Sequence, residues 1–161
     1  MACYLRRAYG LLAAFIFTLS FATSALAAGS VAMQVEHLVR QAMEEYNTAM
    51  EANDSASFLK YFAPNASYET PLFRYSGRAE LARHFGAEFG TFKARFQMNK
   101  MFVQGNSAAI VLTWSAVDRK SADATKIDMV CLYEVGSSGQ FSSATCYFDS
   151  AKARALASLV K

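Results

Sequence analysis

The sequence predicts one α+β domain, with helices first and an antiparallel sheet after them. Two observations carry this. From Val31 to Met50 apolar residues recur at near four-residue spacing, which is the period of an amphipathic helix. From Thr91 onward the period becomes two, in β-branched and aromatic runs separated by Gly-bearing turns. Segregated helices and strands argue for one sheet burying one face under the helices.

The first helix sets Val35, Leu38, Val39, Ala42, Met43, Tyr46, Ala49 and Met50 on its inner face, with Glu36 and Arg40 as an i,i+4 pair on the wet side. Asn53-Asp54-Ser55 breaks and recaps the chain, and Phe58, Leu59 and Phe62 anchor a short second helix that ends at Pro64. Ser67 to Thr70 forms a four-residue strand cut by Pro71. Ser76-Gly77 opens a third helix, Arg78 to Phe89, with Glu80 as a capping-box acid and Leu81, Phe85 and Phe89 facing inward before Gly90. Strands follow around Arg95 to Lys100, over Ala108 to Val117 and Lys126 to Val135, and over Phe141 to Phe148 after the loop Gly136-Ser137-Ser138-Gly139. A short helix follows Asp149.

The chain has 161 residues, 16 basic and 13 acidic, a formal net charge of +3. Residues 1–27 carry Arg6 and Arg7, an apolar run from Leu11 to Phe21 and the small-x-small site Ala25-Leu26-Ala27. This is the pattern of a secretory signal, and its removal leaves residues 28–161 as the domain, with a charge of +1. The expected location is periplasmic or secreted, with no membrane association after cleavage. With no basic arm or aromatic-interleaved basic stripe, nucleic acid is not an expected partner. Cys131 and Cys146 remain as an even pair flanking one hairpin, directly across or one diagonal apart, and are the disulfide candidate. Their spacing has no metal-ligand character, and no metal or cofactor motif is present.

The segments F-A-P-N-A-S (Phe62–Ser67), Y-E-T-P (Tyr68–Pro71) and Y-S-G-R-A-E-L (Tyr75–Leu81) resemble the front half of the NTF2-like superfamily. That superfamily holds SnoaL-like polyketide cyclases, ketosteroid isomerases and scytalone dehydratase. The resemblance runs from about Val35 to Ala155. It implies a sheet curled into a cone around a pocket closed by helices, a fold that carries many reactions and many non-enzymes.

The resemblance also implies site residues. Tyr46 matches the tyrosine that donates to the developing oxyanion in the ketosteroid isomerases, or else it is a core aromatic whose hydroxyl meets a pocket water. Asp128, in Ile127-Asp128-Met129-Val130, resembles the strand on which those isomerases hold a protonated aspartic acid. If Val135 and Gln140 flank the loop, Cys131 pairs with Ala144 and Asp128 turns to the opposite face, unless a bulge restores it. The isomerases' E-D-P base motif is here Glu69-Thr70-Pro71, and threonine cannot take a proton at neutral pH. His84, beside the inward face of Leu81 and Phe85, is the remaining natural acid or base, while His37 falls on the polar side of its helix.

The expected pocket is lined by Tyr46, Tyr68, Thr70, His84, Trp114 and Phe148. It takes a small hydrophobic molecule without a cofactor, and isomerisation, cyclisation or dehydration by acid/base chemistry is the activity implied. The alternative is a non-catalytic module that binds a ligand or pairs with itself as a homodimer through the outer sheet face.

Overall fold

In the computed structural model, residues 29–151 and residue 154 are described. The expected leader, residues 1–27, lies outside them. Helix α1 covers residues 29–52, α2 is Ser55–Leu59, and α3 is Arg78–Thr91. The strands are β1 Phe62–Glu69, β2 Arg74–Ser76, β3 Phe92–Gln104, β4 Ser107–Asp118, β5 Ala124–Val135 and β6 Phe141–Phe148. They form one six-stranded sheet in the order β2-β1-β6-β5-β4-β3. No described helix is long and apolar enough to cross a membrane.

The inward face expected of α1 is the one buried: Val35, Val39, Ala42, Met43, Tyr46, Ala49 and Met50 all join the core, with Leu38 at its margin. Glu36 accepts from Arg40 Nη2 at 2.8 Å on the exposed side. Asp54 caps α2 by accepting from the amides of Ala56 and Ser57. Gly77 caps α3 at φ 79°, a conformation that a Cβ would strain, while Glu80 reaches back to the Ser76 amide at 2.7 Å.

The sequence reading needs correction at three places. The second helix stops at Leu59, and Phe62 and Pro64 belong to β1. Pro64 is tolerated there because the β1–β6 register skips between Phe62 and Ser67, so its missing N–H faces no ladder partner. Arg74–Ser76 is a strand, paired antiparallel to β1 across the turn at Thr70–Phe73. The sheet is mixed, because β1 runs parallel to β6. Sequence periodicity reports that a strand is half-buried but carries no information about its neighbour's direction.

Polar side chains fasten the helices to the sheet. Asn47 of α1 accepts from the Phe96 amide at 2.8 Å and donates to the Phe96 carbonyl at 3.1 Å. This pairs one stretch of the β3 edge that no strand covers. Arg119, just past β4, donates to the carbonyls of Phe89 and Phe92 at 3.0 and 2.9 Å and to that of Met50 at 3.4 Å. One guanidinium thus satisfies carbonyls at the C-terminal ends of both long helices.

Cys131 lies opposite Cys146 in the β5–β6 ladder, and the two are bonded, with Cα atoms 4.0 Å apart. A register shift between Glu134 and Val135 replaces the Cys131–Ala144 pairing expected from a regular four-residue loop. The cross-link closes a separation of 15 residues, so its loss should lower stability by about 3 kcal/mol on the chain-entropy account. Denaturant unfolding with and without reductant, and of Cys131→Ser/Cys146→Ser, measures it. Unchanged midpoints would show that the hairpin's own ladder already restrains the unfolded chain.

Candidate functional site

The inner face of the sheet is laid out by register. Phe96, Trp114 and Ile127 form one row across β3, β4 and β5, and Met98, Leu112, Met129 and Phe148 form the next, reaching β6. Further along, Tyr68, Ala144, Tyr133 and Ala108 form a third row, in which small alanines alternate with tyrosines. Phe96, Met98, Tyr68 and Phe148 remain only partly buried. Helix α3 packs across this face.

The chemistry gathers on α3 around Glu88. Tyr46, which is 0% exposed, donates its hydroxyl hydrogen to Glu88 Oε1 and accepts from Trp114 Nε1 at 2.9 Å. The Tyr46 ring is held at 4.0 Å from Phe96 and edge-on to Phe58 and Phe89. The other carboxylate oxygen, Oε2, lies 3.6 Å from His84 Nε2, one helical turn away. The His84 ring stacks on Tyr75 at 4.6 Å and on Tyr68 at 5.4 Å, with Phe73 at 5.3 Å. Enclosure is not complete: the Glu88 side chain is 13% exposed and that of His84 7%.

Burial sets the charge states. Removal from water pushes Glu88 up to about 7, and the hydrogen bond from Tyr46, with the Trp114 indole close by, holds it from rising further. Burial also lowers His84 to about 4, so its imidazole is neutral at physiological pH. Tyr46, Tyr68 and Tyr133 are each raised by burial and then by the Glu88 charge, and all three remain phenols. At neutral pH the site therefore holds a carboxyl group poised between acid and base, beside a neutral imidazole and under a fixed hydrogen-bond donor. Such a pair can exchange protons with a bound molecule.

Of the residues expected to line a pocket, the structure joins Tyr46 to Trp114 and His84 to Tyr68. Phe148 faces inward beside Met129. Tyr46 does not present its hydroxyl to a ligand, because Glu88 and Trp114 already use it. Thr70 is the hinge of a turn: its hydroxyl oxygen accepts from the amides of Leu72 and Phe73, each at 3.2 Å. Asp128 is exposed on the outer face, where it accepts from Thr113 Oγ1 at 2.6 Å. The β5–β6 bulge lies beyond Cys131, at Glu134, so it moves the β6 partners without turning Asp128 inward.

Glu88 was not among the residues the sequence reading singled out, although a signal for it exists. At about 100° per residue, it falls between His84 and Leu81 on the helical wheel, about 20° from Leu81 at the margin of the arc that buries Leu81, Phe85 and Phe89. An acid at the margin of an apolar arc is a site signal that reading the apolar residues alone passes over.

The sequence profile of the SnoaL-like domain matches residues 43–144, more than half of the chain. No curated protein matches it. Among solved structures, an epoxide hydrolase/cyclase-like enzyme of pyran ring formation in the polyether salinomycin superposes with a TM-score of 0.62 at 18% identity, covering 74% of this chain and 96% of that one. A Mycobacterium tuberculosis protein in complex with estradiol-17beta-hemisuccinate gives 0.61 at 14%, covering 70% and 94%. An NTF2-like protein of unknown function from Cytophaga hutchinsonii gives 0.54 at 20%, covering 73% and 92%. At these identities the likeness shows the fold, and the profile shows the family. The chain belongs to the SnoaL-like domain family and has the NTF2-like fold.

Proposed function

We propose that this domain binds a small, largely hydrophobic molecule between α3 and the inner sheet face, and that Glu88 exchanges a proton with it. The observation that carries the reading is the partly open, protonation-poised carboxyl of Glu88, held by Tyr46 and set 3.6 Å from a neutral His84. One neighbour of this fold with a role in pyran ring formation in a polyether, and another in complex with estradiol-17beta-hemisuccinate, support the ligand class. Glu88 is the general acid or base, His84 adjoins it as a second proton carrier, and Tyr46 and Trp114 position Glu88 from beneath.

The test is solvent deuterium exchange into the α-carbons of cyclic ketones and enones, with binding followed by the fluorescence of Trp114, the chain's single tryptophan. Glu88→Gln keeps the shape and removes the titrating proton. Exchange should fall by about 10²-fold or more, with the pH profile of the wild type centred near 7. Equal exchange in the two proteins would end the assignment to Glu88.

The second reading, a non-catalytic module pairing through its outer face, is favoured by one feature. Phe102, Val130, Leu132 and Tyr147 are exposed there, and the register sets Val130 beside Tyr147. Binding without exchange, together with a dimer in sedimentation, would support it.

We also infer a periplasmic or secreted location, from the leader pattern of residues 1–27 and the Cys131–Cys146 pair. Intact mass of protein from the producing cell should begin at or near Ala28, and retention of Arg6 and Arg7 would overturn this.

A further inference from the structure

Glu88 is acidic, largely enclosed, and has no lysine or arginine partner among the described residues. Buried carboxylates are normally paired with a cation or with several donors. Here one oxygen takes the Tyr46 hydroxyl, and the other faces a neutral imidazole at 3.6 Å. The described charged side chains on neighbouring elements turn away from the site. Arg74 pairs with Glu69 at 2.6 Å, Arg83 approaches Glu80 at 3.7 Å, Arg78 donates to the Phe62 carbonyl at 2.6 Å, and Arg119 is held by the helix ends.

The groups around the adjoining imidazole are electron-rich, and Tyr68 and Tyr133 also feel the Glu88 charge. Tyr68, Phe73 and Tyr75 pack around His84, Tyr68 and Phe85 stand 5.4 Å apart, and Tyr133 stands one strand beyond Ala144 from Tyr68. Aromatic faces attract cations and offer nothing to an anion. We propose that the ligand is an apolar molecule bearing a basic amine, whose ammonium group supplies the missing counter-charge to Glu88 Oε2 while its hydrocarbon body lies against Phe96, Met98 and Phe148. This rests on the reading that a ligand reaches Glu88, and it goes further by naming the polar group of that ligand. Anionic ligands are disfavoured by the same site, because a carboxylate beside Glu88 would place two like charges in an enclosed space.

Three compounds on one skeleton decide it: 2-cyclohexylethylamine, 2-cyclohexylethanol and cyclohexylacetate, titrated against the full domain by calorimetry and by Trp114 fluorescence. At pH 8 the amine should bind at least tenfold more tightly than the alcohol, and cyclohexylacetate more weakly than both. Between pH 6 and pH 8 the amine remains an ammonium, His84 is already neutral, and Tyr46, Tyr68 and Tyr133 are phenols. The preference should therefore grow with pH as Glu88 loses its proton. In Glu88→Gln, amine and alcohol should bind within threefold of each other. Alcohol binding as tight as amine binding, or an amine preference that survives in Glu88→Gln or does not vary with pH, would overturn the proposal while leaving the hydrophobic site intact. Failure of all three compounds to bind the wild type would overturn the site as well.

Discussion

Replacing Tyr46 by alanine should destabilise the domain by about 4 kcal/mol, among the largest effects of any single substitution in this chain. The ring is fully enclosed by Phe58, Phe89 and Phe96, so truncation leaves a cavity bounded by stiff aromatics that cannot collapse into it. The change also removes the donor to Glu88 and the acceptor of the Trp114 indole. Tyr46→Phe separates packing from hydrogen bonding. It keeps the ring, and should cost about 1–2 kcal/mol above pH 7, where Glu88 is a carboxylate that needs its donor, and less at pH 5, where Glu88 is protonated. Losing a hydrogen bond to the ionised form raises Glu88 further, so the midpoint of any Glu88-dependent activity should move to higher pH. Urea unfolding at the two pH values checks this. An equal cost at both would show that the Tyr46 hydroxyl is not coupled to the Glu88 charge.

The second large expectation is a pair of opposed stability slopes. Glu88 has an ordinary value of 4.5 and is raised to about 7, so across that interval the folded protein holds a proton that the unfolded chain has released. Stability from this group is complete below about 4.5 and is lost as pH rises through 7. His84 has an ordinary value of 6.5 and is lowered to about 4, so there the unfolded chain holds the extra proton. Its contribution is present above 6.5 and is lost as pH falls toward 4. Between about pH 4.5 and 6.5 the two slopes oppose each other, each up to about 1.4 kcal/mol per pH unit.

The wild type should therefore be nearly flat in that window. His84→Gln should lose stability as pH rises through it, and Glu88→Gln should gain, by about 1–2 kcal/mol each. Asp54 and Asp118, held below the usual carboxylate range by hydrogen bonds at their turns, add a rise in the acid region common to all three proteins. Urea midpoints at pH 5.0, 5.7 and 6.5 are sufficient. Parallel profiles for the three proteins would mean that burial does not shift this pair in opposite directions.

Much of the architecture was legible in the residues. The α1 stripe around Tyr46, the Asp54 and Glu80 caps, and the period-two runs of β4 and β5 are written in local spacing, and local spacing is what backbone geometry reads. The enclosure of His84 beside Leu81 and Phe85 followed from the same rule. Partners distant in the chain were not legible. The parallel β1–β6 pairing joins segments about 80 residues apart, and nothing in either strand records it. The Glu134 bulge, which brings Cys131 opposite Cys146, depends on how the hairpin seats against Asn106 and Tyr61, since Val135 N–H donates to the Asn106 carbonyl and Phe141 N–H to that of Tyr61.

The site followed the same division. Tyr46 and His84 were visible as unusual residues on apolar faces, but their roles came from contacts 42 and 4 residues away that meet at Glu88. Thr70 and Asp128 were plausible by motif, and the fold assigned the first to a turn and the second to the outer face. By itself the sequence determined which faces are apolar and, for α1, α3, β4, β5 and β6, where the element begins and ends to within a few residues. Only the tertiary structure decided which polar groups share an enclosed space, because burial and proximity, which set the charge of Glu88 and His84, are properties of the packed chain and of no segment alone.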